Sequence, residues 1–384
     1  MPEVYVPRRL VISAIPAIAL LKFVGTHLAS EAGTMVFNFG SKHQSKHKQA
    51  RRFSGALLGT GALLALAGCG GSGNGNGPGG SPTPTPTPVN TDAANSALTP
   101  VKLVALTSDN RLLSFNSRTP SLATSATVAG LTAGDTLRAI DFRFPAGLPG
   151  NGLTGLYTIG QNGTSQQLYR LDFTATTASA ARIGARFDLL PASPAANAFG
   201  FDFNPTVDRI RLIEPTSNRD LRLNPNVEVT TSPVVDGDPA TAGVQGDGPI
   251  AYADGDANFG QDPDAVGAAY LNPDADPNTG TVLYVLDAAR NTLAIQGRAA
   301  DPATGVTAIS PNSGTLFTVG TLSIDVTSDT GFDISPTANA AFLSNGARIF
   351  GIAVAPGAGR GATTGGASLN VPSGTRIIGL AATS

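Results

Sequence analysis

Between Arg222 and Arg290 the chain carries eleven acids and no basic residue, and most of them crowd into two short loops. In "DGDANFGQDPD", Asp254, Asp256 and Asn258 alternate and Asp262 and Asp264 follow; "DADPNTG" repeats the pattern at Asp274, Asp276 and Asn278. Short oxygen-bearing side chains at alternate positions offer several hard ligands from one loop, which is the set that Ca²⁺ takes. Neither loop is an EF-hand: the glycine falls one place late in the second, Phe259 fills that place in the first, and neither has a Glu at the twelfth position. The competing reading is a set of solvated turn acids that bind nothing.

A second group of acids lies inside a repeated heptad. Residues 200–206 read "GFDFNPT" and residues 331–337 read "GFDISPT", with a variant at Ala139-Ile140-Asp141-Phe142. In an extended strand successive side chains point to opposite faces, so Phe201 and Phe203 face one side and Asp202 the other. Gly200 leaves room for a neighbouring backbone, and Asn204-Pro205 or Ser335-Pro336 then starts a turn that Asp208 or Asn339 finishes. Each heptad is therefore an inner strand with its first turn, and Asp141, Asp202 and Asp333 are equivalent motif acids. Carboxylates grouped in this way do acid and base work only in a pocket that perturbs their pKa values.

Other chemistries are excluded by residue type. His27, His43 and His47 all precede the single cysteine, Cys69, so the chain after Cys69 has neither His nor Cys with which to build a Ser-His-Asp triad, a Cys-His pair or a zinc site of the usual kind. Gly357-Ala358-Gly359-Arg360-Gly361-Ala362 fits a dinucleotide fingerprint, but "TTGGASLN" after it cannot be the helix that motif requires. From Cys69 onward 17 basic residues stand against 25 acidic ones, a formal charge of −8, so nucleic acid is not an expected partner.

The segment before Cys69 carries +6 and has the order of a targeting signal. Lys42, Lys46, Lys48, Arg51 and Arg52 precede the apolar "GALLGTGALLALAG", and "LAGC" ends on Cys69. This resembles the lipobox of bacterial lipoproteins, which implies a lipid anchor on Cys69 and attachment to the cell envelope, at the outer membrane. Residues 35–68 are the expected signal peptide, beginning at Met35; residues 1–34 read as a misplaced start or an extra apolar segment. Residues 69–100, with "GGSGNGNGPGGSPTPTPTP", form a tether in which Gly and Ser give flexibility and the Thr-Pro repeat gives extension.

From Val101 to Ser384 the period is two. "KLVALTS", "RLLSFNS", "GLYTIGQ", "QQLYRLDF", "DRIRLIE", "TVLYVLD", "TLAIQGR" and "RIFGIAV" are strand-length runs bounded by Gly, Asn, Asp and Pro. Heptad-like units centred on residues 141, 202, 269, 333 and 381 predict an all-β chain folded as a β-propeller of five blades, or six if one unit is unresolved. A β-sandwich or a solenoid is the alternative. Closure is expected from the ends: "RIIGLAATS" has an inner strand but no chain left for its blade, and "KLVALTS" begins with no inner strand before it. Leu168–Asp172 and Leu283–Asp287 read as two copies of one strand.

The wording "LVALTSDNRLLSFN", "GFDFNPTVDRIRLI", "LRLNPN", "GAAYLN", "GTLFTVGTL", "GFDI" and the final "GLA" resembles the bacterial family of domain of unknown function 4394 over nearly all of residues 101–384. That resemblance implies an envelope-associated, propeller-like domain and supplies no catalytic residues. The expected function is a non-enzymatic binding or scaffold domain for an unknown protein or carbohydrate ligand. The alternative is a Ca²⁺-dependent propeller hydrolase that uses Asp carboxylates.

Overall fold

The computed structural model describes residues 91–143, 155–193, 197–225, 243–271 and 281–383, all inside the compact unit Thr83–Ser384. Cys69, the segments before it and the loop residues Asp274, Asp276 and Asn278 lie outside the described residues.

Short alternating runs become strands because one face of each can be buried while turn residues end it. β1 (Lys102–Thr107), β2 (Arg111–Asn116) and β3 (Thr119–Ala129) pair antiparallel in the first sheet. The second blade runs β4 (Thr136–Arg143), β5 (Gly155–Asn162), β6 (Ser165–Phe173) and β7 (Ala178–Phe187), and β7 pairs parallel with β3, Val128 opposite Ala178, which joins the first two blades into one sheet. The third runs β8 (Gly200–Asn204), β9 (Arg209–Glu214), β10 (Arg219–Leu223) and β11 (Val244–Gly246). β12 (Ala251–Tyr252) lies parallel on the outer edge of the fourth, which runs β13 (Ala265–Leu271), β14 (Val282–Asp287), β15 (Thr292–Gln296) and β16 (Thr315–Thr321). The fifth runs β17 (Phe332–Ile334), β18 (Ala341–Asn345), β19 (Arg348–Ile352) and β20 (Thr363–Ser368).

The last strand, β21 (Ile377–Ala382), then pairs with β1, Val104 opposite Ala381, and completes the first sheet from the inside. The innermost strands β21, β4, β8, β13 and β17 touch in that order, and β17 touches β21 again. This is the β-propeller the repeats predict, with five blades among the described residues. Residues 141, 202, 269, 333 and 381 fall on the five innermost strands.

Among the described residues, five apolar cores lie between successive blades. Tyr157, Ile159 and Leu168 of the second blade meet Phe201, Phe203 and Leu212 of the third, and Tyr284 and Leu286 of the fourth meet Phe332 and Leu343 of the fifth. Ile213 packs on the fourth blade, while the first blade packs on the second through Leu106 and Ile378 and on the fifth through Leu103 and Leu380. The inner strands approach so closely that a Cβ on Gly331 would lie 2.6 Å from the Gly379 backbone, which is why the heptad opens on glycine. Its turn also forms as the sequence predicts: the Asp208 and Asn339 amides donate to the carbonyls of Asn204 and Ser335 at 2.9 Å, with both residues in the left-handed region.

Two sequence readings change. Leu168–Asp172 lies on the third strand of its blade and Leu283–Asp287 on the second strand of another, so they are not copies of one strand. The register equates Tyr284, opposite Ala269, with Tyr157, opposite Asp141. Alternating apolar residues ending in an acid mark any mid-blade strand and do not specify its rank. The packed chain also begins before Val101. The 3-10 turn Asp92–Asn95 seats a fully buried Asn95 whose amide donates to the Ser117 and Ile349 carbonyls and accepts from the Gly366 and Ala367 amides, joining the first blade to the fifth.

Candidate functional site

Each innermost strand turns one edge toward the ring axis, where there is no further strand to accept its N–H groups. A buried N–H without a partner is costly, so something must accept these hydrogen bonds. The N–H groups in question belong to Phe142, Phe203, Tyr270, Ile334 and Ala382, each one place after a unit's reference position.

Three aspartates serve all five. Asp141 accepts from Phe142 N at 2.6 Å and from Phe203 N on the next blade at 2.8 Å. Asp333 accepts from Ile334 N at 2.6 Å and from Ala382 N on the next blade at 2.6 Å. Asp202 accepts from Tyr270 N on the next blade. Ala269 and Ala381 hold the reference position on the fourth and first blades, and there the acid of the following blade turns an oxygen back to its own neighbour's amide. The three carboxylates also bind blade to blade, second to third, third to fourth and fifth to first.

The price of the arrangement is charge. Asp141, Asp202 and Asp333 are all buried and each brings a carboxylate oxygen within 4.8 Å of the others, the only such group of potential metal ligands among the described residues. Three carboxylates this close in a dry site cannot all ionise. Burial, then the charge of Asp202, pushes Asp141 well above the ordinary carboxylate range, and burial with the charge of Asp141 does the same to Asp333. Burial first, helped by Asp333 and opposed by a hydrogen bond from Asp141 and by backbone N–H groups, raises Asp202 to about 8. The cluster therefore holds protons at neutral pH. The opening beside it, walled by Pro205, Pro336, Phe142 and Ile334, has a volume of about 20 Å³, room for one water.

The same three side chains lie close enough to share a cation. Five N–H dipoles already point their positive ends at these oxygens, so an ion would compete with them for the same lone pairs.

The acids of the "DGDANFGQDPD" loop do not gather. Asp256 accepts from Thr318 N at 2.7 Å, from Thr318 Oγ1 at 2.8 Å and from Asn258 N at 2.9 Å, while Asn258 Nδ2 donates to Thr318 Oγ1. Asp262 accepts from Asn218 Nδ2 at 2.6 Å, Asp254 is exposed, and the carbonyl of half-buried Asp264 takes the Ala288 amide. Burial raises Asp264, helped by the charge of Asp287. These residues fasten the loop to β16 and its surroundings. Gly357–Ala362 lies in the connection between β19 and β20, a hairpin loop and not the start of a helix.

A cavity of about 380 Å³ between the third and fourth blades was not foreseen from sequence. Arg209, Arg211 and Arg222 line it with Asn204, Tyr270 and Asn312. Its signal was present in "DRIRLIE", where arginines two apart share one strand face, and the pairing of Arg211 opposite Arg222 appears only with the register.

No curated protein matches the chain. Among solved structures it is similar to a catalytically inactive variant of virginiamycin B lyase from Staphylococcus aureus with quinupristin (10% identity, 74% of this chain and 73% of that one, TM-score 0.31). It is likewise similar to a streptogramin B lyase (10%, 68% and 63%, 0.32) and to a functionally unknown protein from Desulfotomaculum acetoxidans DSM 771 (12%, 66% and 76%, 0.30). The sequence pattern of one family matches residues 111–381, most of the chain, and the protein belongs to that family, Domain of unknown function (DUF4394).

Proposed function

We propose that the protein is a non-catalytic binding propeller, held at the cell envelope by a lipid on Cys69 and presenting its ring to a protein or carbohydrate ligand. The observation that supports the non-catalytic part is the commitment of Asp141, Asp202 and Asp333 to the five axial N–H groups, beside an opening of about 20 Å³. A substrate has no room to meet these carboxyls, and Asp202, raised by burial to about 8, holds at neutral pH the proton that a general base would have to lack. The anchor rests on "LAGC" behind its basic and apolar segments. A hydrolase reading draws on the closeness of the same three acids and on their raised pKa values.

The test uses the full chain and its Cys69→Ala form, each fractionated from cells and then incubated with mixed glycans and peptides. The wild type should sediment with membranes, Cys69→Ala should not, and captured ligand should be recovered chemically unchanged from both. Equal membrane retention of the two forms overturns the anchor. Recovery of a cleaved product that Asp202→Asn stops while remaining folded overturns the non-catalytic reading in favour of the hydrolase.

A further inference from the structure

We propose that the cavity between the third and fourth blades binds a small organic anion, of the class of an acidic monosaccharide, through Arg222. The inference names a ligand class for the binding reading and rests on it.

The wall begins with register. Arg211 on β9 faces Arg222 on β10, a placement of like charges on opposite positions that disfavours the sheet unless something compensates. Asp247 compensates part of it, accepting from Arg211 Nη1 at 2.5 Å and from Arg222 Nε at 2.9 Å, and Asp220 accepts from Arg211 Nη1 at 2.7 Å. Neither acid lines the cavity; the charged residues that do, among those described, are Arg209, Arg211 and Arg222. Arg211 is 2% exposed and its Nη2 donates to Asn312 Oδ1 at 2.8 Å, so it stands behind the wall as a fixed positive charge. Arg222 is held through Nε, which leaves the end of its fork to the cavity. A fork end with no acceptor among the described residues offers paired donors to an oxyanion in the cavity.

Electrostatics point the same way. Burial lowers Arg209, and the positive charges of Arg222 and Arg143 beside it lower it further, against Asp208. Burial also raises Asp220 to about 6 despite the adjoining Arg211, so its compensating charge weakens as pH falls toward that value. An oxyanion placed against the Arg222 fork gains charge-assisted bonds.

The rest of the wall describes the body of the ligand. Asn204, Thr206, Ser310 and Asn312 supply neutral amides and hydroxyls, Val207 and Pro311 supply apolar contact, and about 380 Å³ is at the small end of ligand pockets. Hydroxyl groups on a compact ring carrying one carboxylate or phosphate match that lining. The two sources of the oxyanion, a uronic acid and a sugar phosphate, share this chemistry.

Calorimetric titration of the full chain with glucuronate, with glucose 6-phosphate and with glucose tests the site. At least one anion should bind saturably, more weakly as salt rises, and glucose should bind about tenfold more weakly or not at all. The anion that binds better identifies the oxyanion as carboxylate or phosphate. Arg222→Gln should weaken that anion about tenfold, and Arg222→Lys, which keeps the charge but not the fork, should fall between. Melting of each variant reports whether it is folded, and should Arg222→Gln not fold, Arg222→Lys carries the comparison. No binding of either anion, glucose bound as tightly as the anions, or folded Arg222 variants that bind like wild type overturns the proposal while leaving the binding reading intact. A bound sugar recovered cleaved would overturn the binding reading and leave the site.

Discussion

At the scale of residues, the motif acids were legible and their use was not. Period-two alternation places Asp202 opposite Phe201 and Phe203, and the repeat equates it with Asp141 and Asp333. That three carboxyls serve five N–H groups follows only when five inner strands close on one axis, since each acceptor pairs with a donor some 50 to 70 positions away in the chain. The loop acids were legible as a pattern and not by their partners: alternate Asp residues look like a ligand set, and in the structure Asp256 accepts from Thr318, which no local pattern announces. The axial cluster has a consequence for pH. Asp202 is raised to about 8 when folded against about 3.8 in a free chain, so between those values the folded state holds a proton the unfolded state has lost. Its stabilisation is complete below the lower value and is lost as pH rises through the higher one, with a slope of up to about 1.4 kcal/mol per pH unit for each extra proton. Urea unfolding from pH 5 to 9 should show stability falling as pH rises, and Asp202→Asn should flatten the fall. Asp220 contributes in the same direction and remains in the variant, so the difference between the two slopes reports the cluster. Equal slopes would show that the cluster does not hold its proton.

At the scale of elements, turn chemistry and glycine placement carried most of the fold. The full Gly-acid-Pro spacing located two of the five inner strands with their following turns, β8 and β17, and partial matches located the other three, because a close backbone approach demands glycine and a turn start demands Asn-Pro or Ser-Pro. Rank within a blade was not legible, as Leu168–Asp172 shows, because every mid-blade strand is buried on both faces and carries the same residue types. The stretch before Val101 was hidden by composition: Thr, Ala, Asn and Ser read as tether, whereas Asn95 makes four hydrogen bonds to two blades. Asn95→Ala should cost about 2–4 kcal/mol, since it leaves two carbonyls and two amides buried and unpaired. Chemical denaturation of the full chain measures this directly. A loss below about 0.5 kcal/mol would mean the 3-10 turn is an ornament on a ring that closes without it.

At the scale of the whole molecule, the ring depends on a strand that enters last. Reading the two ends of the sequence together predicted this: an inner strand without a blade at one end, a blade without an inner strand at the other. β21 supplies what β1 lacks, and it does so in three ways at once. It covers the inner edge of β1 by antiparallel pairing, it places Ile377, Ile378 and Leu380 in the cores shared with the second and fifth blades, and it gives the Ala382 amide to Asp333. Removing residues 375–384 therefore exposes an edge, empties part of two cores and strands one carboxyl of the axial cluster. Burial of three large aliphatic side chains alone is worth roughly 5–8 kcal/mol, which is of the order of the entire stability of a typical domain. The truncated chain should not show a cooperative melt at the wild-type temperature. Because the loss is of a partner and not of covalent integrity, a synthetic peptide of residues 375–384 should bind the vacant edge and raise the melting point as its concentration rises. A truncated chain that melts like the full one, with the peptide adding nothing, would mean that the other four blades hold the ring without its closing strand.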